Sequence, residues 1–184
     1  MKRVIVKAKL PNKSEFVQML RDIGMRFSDT FWQHDRIFVP KGFAPNKNLP
    51  RLYLRTIVKD AKKPATYALV LRRHIESKDI DVVNFTTIKD YTEAAHIIHQ
   101  LGFELKYQVA RERQELVMGE GVKVYLDKVE GLPGYYAKFE SNITNDTEAT
   151  EAKNDLIETF EVLHVPRSSI VESSFGESVG PIDL

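Results

Sequence analysis

Basic side chains occupy every second position in several strand-like segments of the chain, and carboxylates follow them on the same alternation. The segments are Arg111-Glu112-Arg113, Lys123-Val124-Tyr125-Leu126-Asp127 and Tyr136-Ala137-Lys138-Phe139-Glu140. Residues i and i+2 of a strand point to the same face of a sheet, so these charges lie together on one side. A sheet that curls around this side encloses a polar lumen. Cations gathered in a lumen require an anion, and the pattern therefore indicates phosphate chemistry.

The elements that must position these side chains are mostly strands. Strands are predicted over residues 4–10, 26–39, 52–58, 67–73, 81–88, 104–115, 122–129 and 135–142. Helical spacing predicts helices after Asn12, over residues 90–101, and from Asn145 or Asp146 to about Leu163. This order predicts an α+β fold, an eight-stranded antiparallel β-barrel with helices packed outside.

Length and composition fit one soluble domain over residues 1–184. The net charge of +1, from 27 basic and 26 acidic residues, argues against a bulk nucleic-acid binder, which usually has a basic excess. The absence of cysteine excludes disulfides and thiolate metal sites and is compatible with a cytoplasmic location. No run is long enough for a signal peptide or a membrane span, so no membrane partner is expected. The sequence does not predict the oligomeric state.

Seven short motifs occur in an order that resembles one protein family. They are Gln33–Phe38 (similar to Q-x-D-x-Y-F), Leu52–Arg55 (L-R-x-R), Leu69–Arg72 (a strand ending in a basic residue), Arg111–Arg113 (K-x-R), Tyr125–Leu132 (L-D-x-V-x-G-L-G), Tyr136–Glu140 (F-x-E-x-E) and Ser174-Phe175 (a Ser-Tyr pair). Together they resemble the CYTH superfamily of triphosphate tunnel proteins, which includes class IV adenylyl cyclases, thiamine triphosphatases and inorganic triphosphatases. The resemblance implies a barrel whose lumen binds a triphosphate.

Six cations correspond to phosphate ligands in this resemblance. They are Lys7, Arg55, Arg72, Arg111, Arg113 and Lys123. Arginine supplies paired donors that match phosphate oxygens, which supports the assignment. The alternative interpretation is exposed charge on solvated strands. Arg73 is expected on the opposite face from Arg72, and no catalytic side chain is assigned.

The family's N-terminal E-x-E-x-K motif is degenerate in this chain. Arg3 and Ile5 replace the two glutamates, whereas Lys7 keeps the lysine. In the last strand Lys138 replaces the first acid and Glu140 keeps the second. In family members these glutamates hold a divalent metal. The substitutions therefore shift the lumen toward positive charge and favour binding a polyanion without metal.

The resemblance leaves two carboxylates, Asp127 and Glu140, as ligands for Mg²⁺ or Mn²⁺, an incomplete set for an octahedral ion. The alternative is that both carboxylates pair with neighbouring lysines or arginines. Asp35 is a candidate for orienting a lumen cation. His96 and His99 share a helix at i, i+3 but are predicted to be surface histidines rather than a metal site.

Two classes of function remain open from the sequence. The first is a tunnel that binds a nucleotide or inorganic polyphosphate, with metal-dependent triphosphatase or adenylyl cyclase activity if it is active. The second is a catalytically impaired module that binds triphosphate, polyphosphate or RNA and has lost its metal-ligand glutamates. RNA is the less favoured partner because the net charge is close to zero.

Overall fold

The strands and helices follow the predicted order in a computed structural model that describes residues 1–43, 49–75 and 79–182. The strands are β1 (Lys2–Lys9), β2 (Phe31–Pro40), β3 (Arg51–Val58), β4 (Thr66–Ile75), β5 (Ile80–Ile88), β6 (Phe103–Val117), β7 (Lys123–Val129) and β8 (Tyr136–Ile143). The helices are α1 (Lys13–Asp22), α2 (Tyr91–Gln100), α3 (Ala149–Val162) and α4 (Phe175–Val179). Among the described helices, none is both long and apolar enough to cross a membrane.

The eight strands close into one antiparallel barrel in the order β1-β5-β4-β3-β2-β6-β7-β8. This confirms the predicted fold class. One predicted strand was too long, because residues 26–30 lie outside β2. Ser28 instead donates its backbone N–H to the carbonyl of Glu115 at 2.8 Å, which anchors this irregular segment to the end of β6.

The main apolar core lies outside the barrel, between its wall and two helices. Val4, Val6 and Phe139 point outward from β1 and β8 and pack with side chains of α1 and α3, including Phe160. The Phe139 and Phe160 rings stack with centroids 4.2 Å apart. Because successive strand residues alternate between faces, this outer packing leaves the intervening charged positions to face the lumen.

The second helix covers a different part of the wall. Ile98 of α2 packs with Phe38, Leu54 and Leu105, which point outward from β2, β3 and β6. The side chain of Asp90 caps this helix by accepting the backbone N–H of Glu93 at 2.9 Å. The helices therefore hold the barrel from outside and leave its interior to the polar side chains.

The C-terminal segment returns to the barrel after α3. The Val171 N–H donates to the carbonyl of Lys7 at 2.8 Å, and Ile170 forms an isolated bridge with Ala8. This placement is possible because β1 pairs with β5 only at Lys2 and Arg3. The short helix α4 then buries Phe175 among lumen-facing aromatic and aliphatic residues. They are Ile37, Tyr53, Tyr107, Val109 and Tyr136.

The Phe139–Phe160 stack gives a test of the outer core. We expect Phe160→Ala to lower the free energy of unfolding by about 3–5 kcal/mol, because it removes a fully buried ring and leaves a cavity. Urea denaturation followed by circular dichroism measures the change. Val162→Ala on the same helix is the matched control, because Val162 is 72% exposed, and it should change stability by no more than about 0.5 kcal/mol. Equal effects of the two substitutions would contradict the packing described.

Candidate functional site

The interior of the barrel, α3 and the C-terminal segment line a cavity of about 670 Å³, in which cations outnumber carboxylates. The lining cations are Lys7, Arg51, Arg55, Arg72, Arg111, Lys138, Lys153 and Arg167. The lining carboxylates are Asp35, Asp79, Asp81, Glu172 and Glu177. Strand alternation explains the arrangement, since Lys7 lies between Val6 and Ala8, which both belong to the outer core.

Asp35 organises two of the predicted phosphate ligands at the centre of β2. It accepts hydrogen bonds from Arg55 at 2.6 and 3.1 Å and from Arg111 at 2.5 Å, and the Gln33 amide donates to it at 2.9 Å. Burial raises the pKa of this carboxyl group, but the charges of Arg55 and Arg111 more than offset that effect and lower it overall. Asp35 is therefore ionised, and it orients lumen cations as expected.

Arg113 and Asp127 form a second buried pair, directly opposite each other on β6 and β7. Arg113 donates to both oxygens of Asp127, at 2.6 and 2.7 Å, and its guanidinium lies over the Tyr125 ring at 4.3 Å. Burial raises the pKa of Asp127, but Arg113 outweighs it and lowers the pKa overall. Neither residue lines the cavity, although Arg113 also donates to the Gln33 side-chain oxygen at 3.3 Å, on the inner side of the barrel.

Two further arginines are fixed near the cavity walls. Arg72 donates to both oxygens of Asp81 at 2.8 Å. Arg51 donates to Glu177 at 2.7 Å and to the Ser174 hydroxyl at 3.1 Å, which ties β3 to the N-terminus of α4. The hydrogen bonds from Arg51 and from the Ser174 backbone help to lower the pKa of Glu177 to about 2, against the opposing effect of burial.

Lys7 and Lys138 lie directly opposite each other on β1 and β8. Burial, together with the nearby charges of Arg72, Lys138 and Arg111, lowers the pKa of Lys7 to about 7. Burial likewise lowers the pKa of Lys138 to about 8, although Glu140 opposes that shift. Like charges at facing positions of a sheet are destabilising. This part of the lumen therefore carries positive charge that its own carboxylates only partly balance.

The carboxylate nearest this lysine pair is already occupied. Glu140 accepts hydrogen bonds from Lys138 at 2.5 Å and from Arg3 at 3.0 Å. Lys7 donates instead to the backbone carbonyl of Ser173 and lies 4.3 Å from the centre of the Phe175 ring. The buried Nε of Arg111 has no hydrogen-bond partner among the described residues.

The two predicted metal ligands do not come together. Asp127 pairs in register with Tyr136. Glu140 pairs with Lys123, which lies four residues before Asp127 on β7. At about 3.3 Å per residue, this offset is about 13 Å along the strand. The described residues contain no cluster of three or more histidine and carboxylate side chains that fits a metal ion. The residues present therefore do not fit a single Mg²⁺ or Mn²⁺ ion bound by both Asp127 and Glu140.

The structure brings four of the six predicted phosphate ligands to the cavity. They are Lys7, Arg55, Arg72 and Arg111. Lys123 is exposed at the start of β7, and Arg113 is bonded to Asp127 and does not line the cavity. Arg73, His96 and His99 are exposed, as predicted. The role of each phosphate ligand stays a prediction.

Sequence reasoning missed Arg51 and did not assign Lys138 as a ligand. Arg51 alternates with Tyr53 and Arg55 on β3, so the same spacing argument could have found it. Ser174 was indicated only as part of the Ser174-Phe175 motif. Glu177 had no signal, because it belongs to a five-residue helix in a segment of weak periodicity.

The Arg113–Asp127 pair generates a stability test. Asp127→Asn leaves a buried guanidinium without its counter-charge, and we expect it to cost about 3–5 kcal/mol of unfolding free energy. The double variant Arg113→Met, Asp127→Leu removes both charges and should recover most of that loss. Urea denaturation compares the variants, with the exposed Glu112→Gln as the control. A double variant no more stable than Asp127→Asn would contradict the buried-pair assignment.

Comparisons with known proteins agree with this architecture. A family model of the CYTH domain matches residues 1–175. A protein of Methanocaldococcus jannaschii named "putative adenylate cyclase" is 24% identical over 185 residues, covering 96% of this chain and 98% of that protein. The solved PH1819 protein from Pyrococcus horikoshii has a TM-score of 0.79 at 20% identity, covering 94% of this chain and 95% of that one. A "putative adenylyl cyclase" from Hippeastrum, described as having a dominant triphosphatase activity, has a TM-score of 0.61 at 16% identity, covering 97% and 95%. This chain belongs to the CYTH domain family.

Proposed function

We propose that the barrel binds a triphosphate-containing molecule, a nucleotide or an inorganic polyphosphate, in its lumen. The observation that carries this proposal is the facing pair Lys7 and Lys138, whose pKa values are lowered to about 7 and about 8. The two positive charges repel each other. Among the described residues, no carboxylate of the cavity is bonded to Lys7. An anion between them would replace repulsion with attraction.

A polyanion fits this charge distribution better than a single small anion. Arg111 and Arg55 both line the cavity and are held side by side by Asp35. Guanidinium groups fixed by a carboxylate keep donors available for phosphate oxygens and lose little side-chain entropy on binding. Electrostatic attraction is also stronger in a partly buried cavity than in bulk water. A chain of phosphates would engage several of these cations at once.

The cavity has room for more than the phosphates. Its volume of about 670 Å³ is within the usual range for sites that hold small organic ligands. Its wall also contains apolar side chains, among them Ile37, Tyr53 and Val109. These residues support a ligand with an organic group, although an inorganic polyphosphate would use the same cations.

Turnover of the bound molecule is a further part of this proposal. The names of the relatives point to two reactions, cyclisation of ATP and hydrolysis of a triphosphate. In cyclisation the ribose 3′-hydroxyl attacks the α-phosphorus and pyrophosphate leaves. In hydrolysis water attacks the terminal phosphorus, the bond to the bridging oxygen breaks, and the diphosphate part leaves as orthophosphate forms. In both reactions, fixed cations such as Arg55 and Arg111 would stabilise the negative charge on the phosphoryl oxygens.

A binding module without turnover is the second candidate. The observation that favours it is the neutralisation of Glu140 by Lys138 and Arg3, because an ionised carboxylate bonded to two cations is a weak base. Such a module would recognise a nucleotide, a polyphosphate or the 5′-triphosphate end of an RNA. RNA binding along the outer surface would weaken steeply with salt, whereas binding of a triphosphate end inside the lumen would weaken less.

Isothermal titration with inorganic triphosphate and with ATP tests the binding site. We expect Arg111→Met to weaken binding about 10- to 100-fold, because it removes hydrogen bonds to a charged group. The exposed Arg73→Met is the matched control and should bind as the unmodified protein does. Product analysis of the same samples separates phosphate release, pyrophosphate release and no turnover. Unchanged affinity of a folded Arg111→Met variant would count against the lumen site.

The lowered pKa of Lys7 predicts proton uptake on binding. The free protein loses this proton as the pH rises through about 7, and a bound anion would raise the pKa again. Affinity should therefore fall above pH 7, by at most about tenfold per pH unit for each proton taken up. Titrations at pH 8 in buffers of different ionisation enthalpy measure the uptake. Lys7→Met should take up about one proton fewer, and equal uptake by both proteins would refute the role of Lys7.

A further inference from the structure

Each buried carboxylate of the barrel is paired with a cation of the same chain. These carboxylates are Asp35, Asp81, Asp127 and Glu140. Arg55 and Arg111 bind Asp35, Arg113 binds Asp127 through both oxygens, and the other pairs described above follow the same rule. Mg²⁺ requires near-octahedral oxygen ligands at about 2.0–2.1 Å. An ion entering such a site would have to displace a guanidinium or ammonium group from a buried carboxylate. That displacement would leave a buried cation without its partner, which is costly.

The surroundings of Glu140 show what takes the place of a second acid. Ile5 lies opposite Glu140 in register and lines the cavity as an apolar side chain. Lys138 occupies the same face of β8 two residues away, and Arg3 reaches Glu140 from the neighbouring strand. The positive charge beside Glu140 is therefore supplied by the side chains of Lys138 and Arg3. A metal ion bound there would be repelled by both of these cations.

We infer that the barrel holds the phosphate chain directly on its own ammonium and guanidinium groups, with Lys138 and Arg3 beside Glu140 supplying the positive charge and no divalent metal ion bridging protein and ligand. This inference rests on the proposed function, since it concerns the same lumen. It concerns how the ligand is held and does not depend on whether the ligand is turned over.

Lys138 has a second role in this arrangement, because it lies directly opposite Lys7. The two lysines approach the lumen from neighbouring strands, and Lys138 is also 4.4 Å from the centre of the Tyr125 ring, which restricts its position. A phosphate between the two ammonium groups would be bound from both sides. A divalent ion added at the same point would increase the repulsion that the anion relieves.

Titration with inorganic triphosphate in EDTA, and separately with excess Mg²⁺ or Mn²⁺, tests the inference. We expect binding in EDTA that is at least as tight as binding with metal, because Mg²⁺ complexes the free ligand and reduces its charge. Lys138→Met should weaken binding in EDTA by about tenfold or more. Lys128→Met is the matched control, since Lys128 is an exposed lysine on the outer face of β7, and its affinity should be unchanged.

The possible results separate this inference from the proposed function. Binding that requires Mg²⁺ or Mn²⁺ would overturn the inference and leave the proposed function in place. Unchanged binding by a folded Lys138→Met variant in EDTA would also overturn it. If that variant does not fold, the metal dependence of the unmodified protein still decides the matter. A folded protein that binds neither inorganic triphosphate nor ATP under any condition would overturn both.

Discussion

The burial of charge inside the barrel is the constraint on which the rest of the structure depends. A charged group removed from water is stable only when it is paired and hydrogen bonded. Asp35 and Asp127 meet that requirement because each faces an arginine on the neighbouring strand. The pairs are Asp35–Arg55 and Arg113–Asp127. Barrel closure is thus tied to these ion pairs, because a shift of register by one residue would turn each charge toward the outer core.

As a consequence, the main apolar core lies outside the barrel. With the lumen given over to polar groups, the main apolar cluster forms where α1 and α3 cover the outward faces of β1, β7 and β8. The helices α1 and α2 therefore bury the wall, whereas α3 buries the wall and also places Lys153 at the cavity. Helix α4 packs into the interior, where Phe175 contributes an apolar surface and Glu177 adds a carboxylate that binds Arg51.

The sequence predicts the barrel and much of its lumen because both follow from one local rule, the two-residue period of a strand. That rule places Lys7, Arg55 and Arg111 in the cavity, and it would have placed Arg51 there too. It does not decide which charges meet, because pairing depends on register between strands distant in sequence. Asp127 and Glu140 illustrate the limit: their types suit a metal, but the register separates them by four residues. The tail was beyond prediction for another reason, since α4 is too short to show a helical period.

The difference between lysine and arginine explains how the lumen tolerates an excess of cations. Arginine stays protonated under ordinary conditions, whereas a buried lysine can lose its proton. The arginines of the cavity are accordingly the groups held by carboxylates, as Arg72 is by Asp81. Lys7, which has no carboxylate bonded to it among the described residues, has a pKa lowered to about 7. Its deprotonation limits repulsion in the free protein, and in the proposed complex its reprotonation beside a bound anion would restore the full attraction. Lys7 is thus the adjustable part of a charge arrangement that the arginines keep fixed.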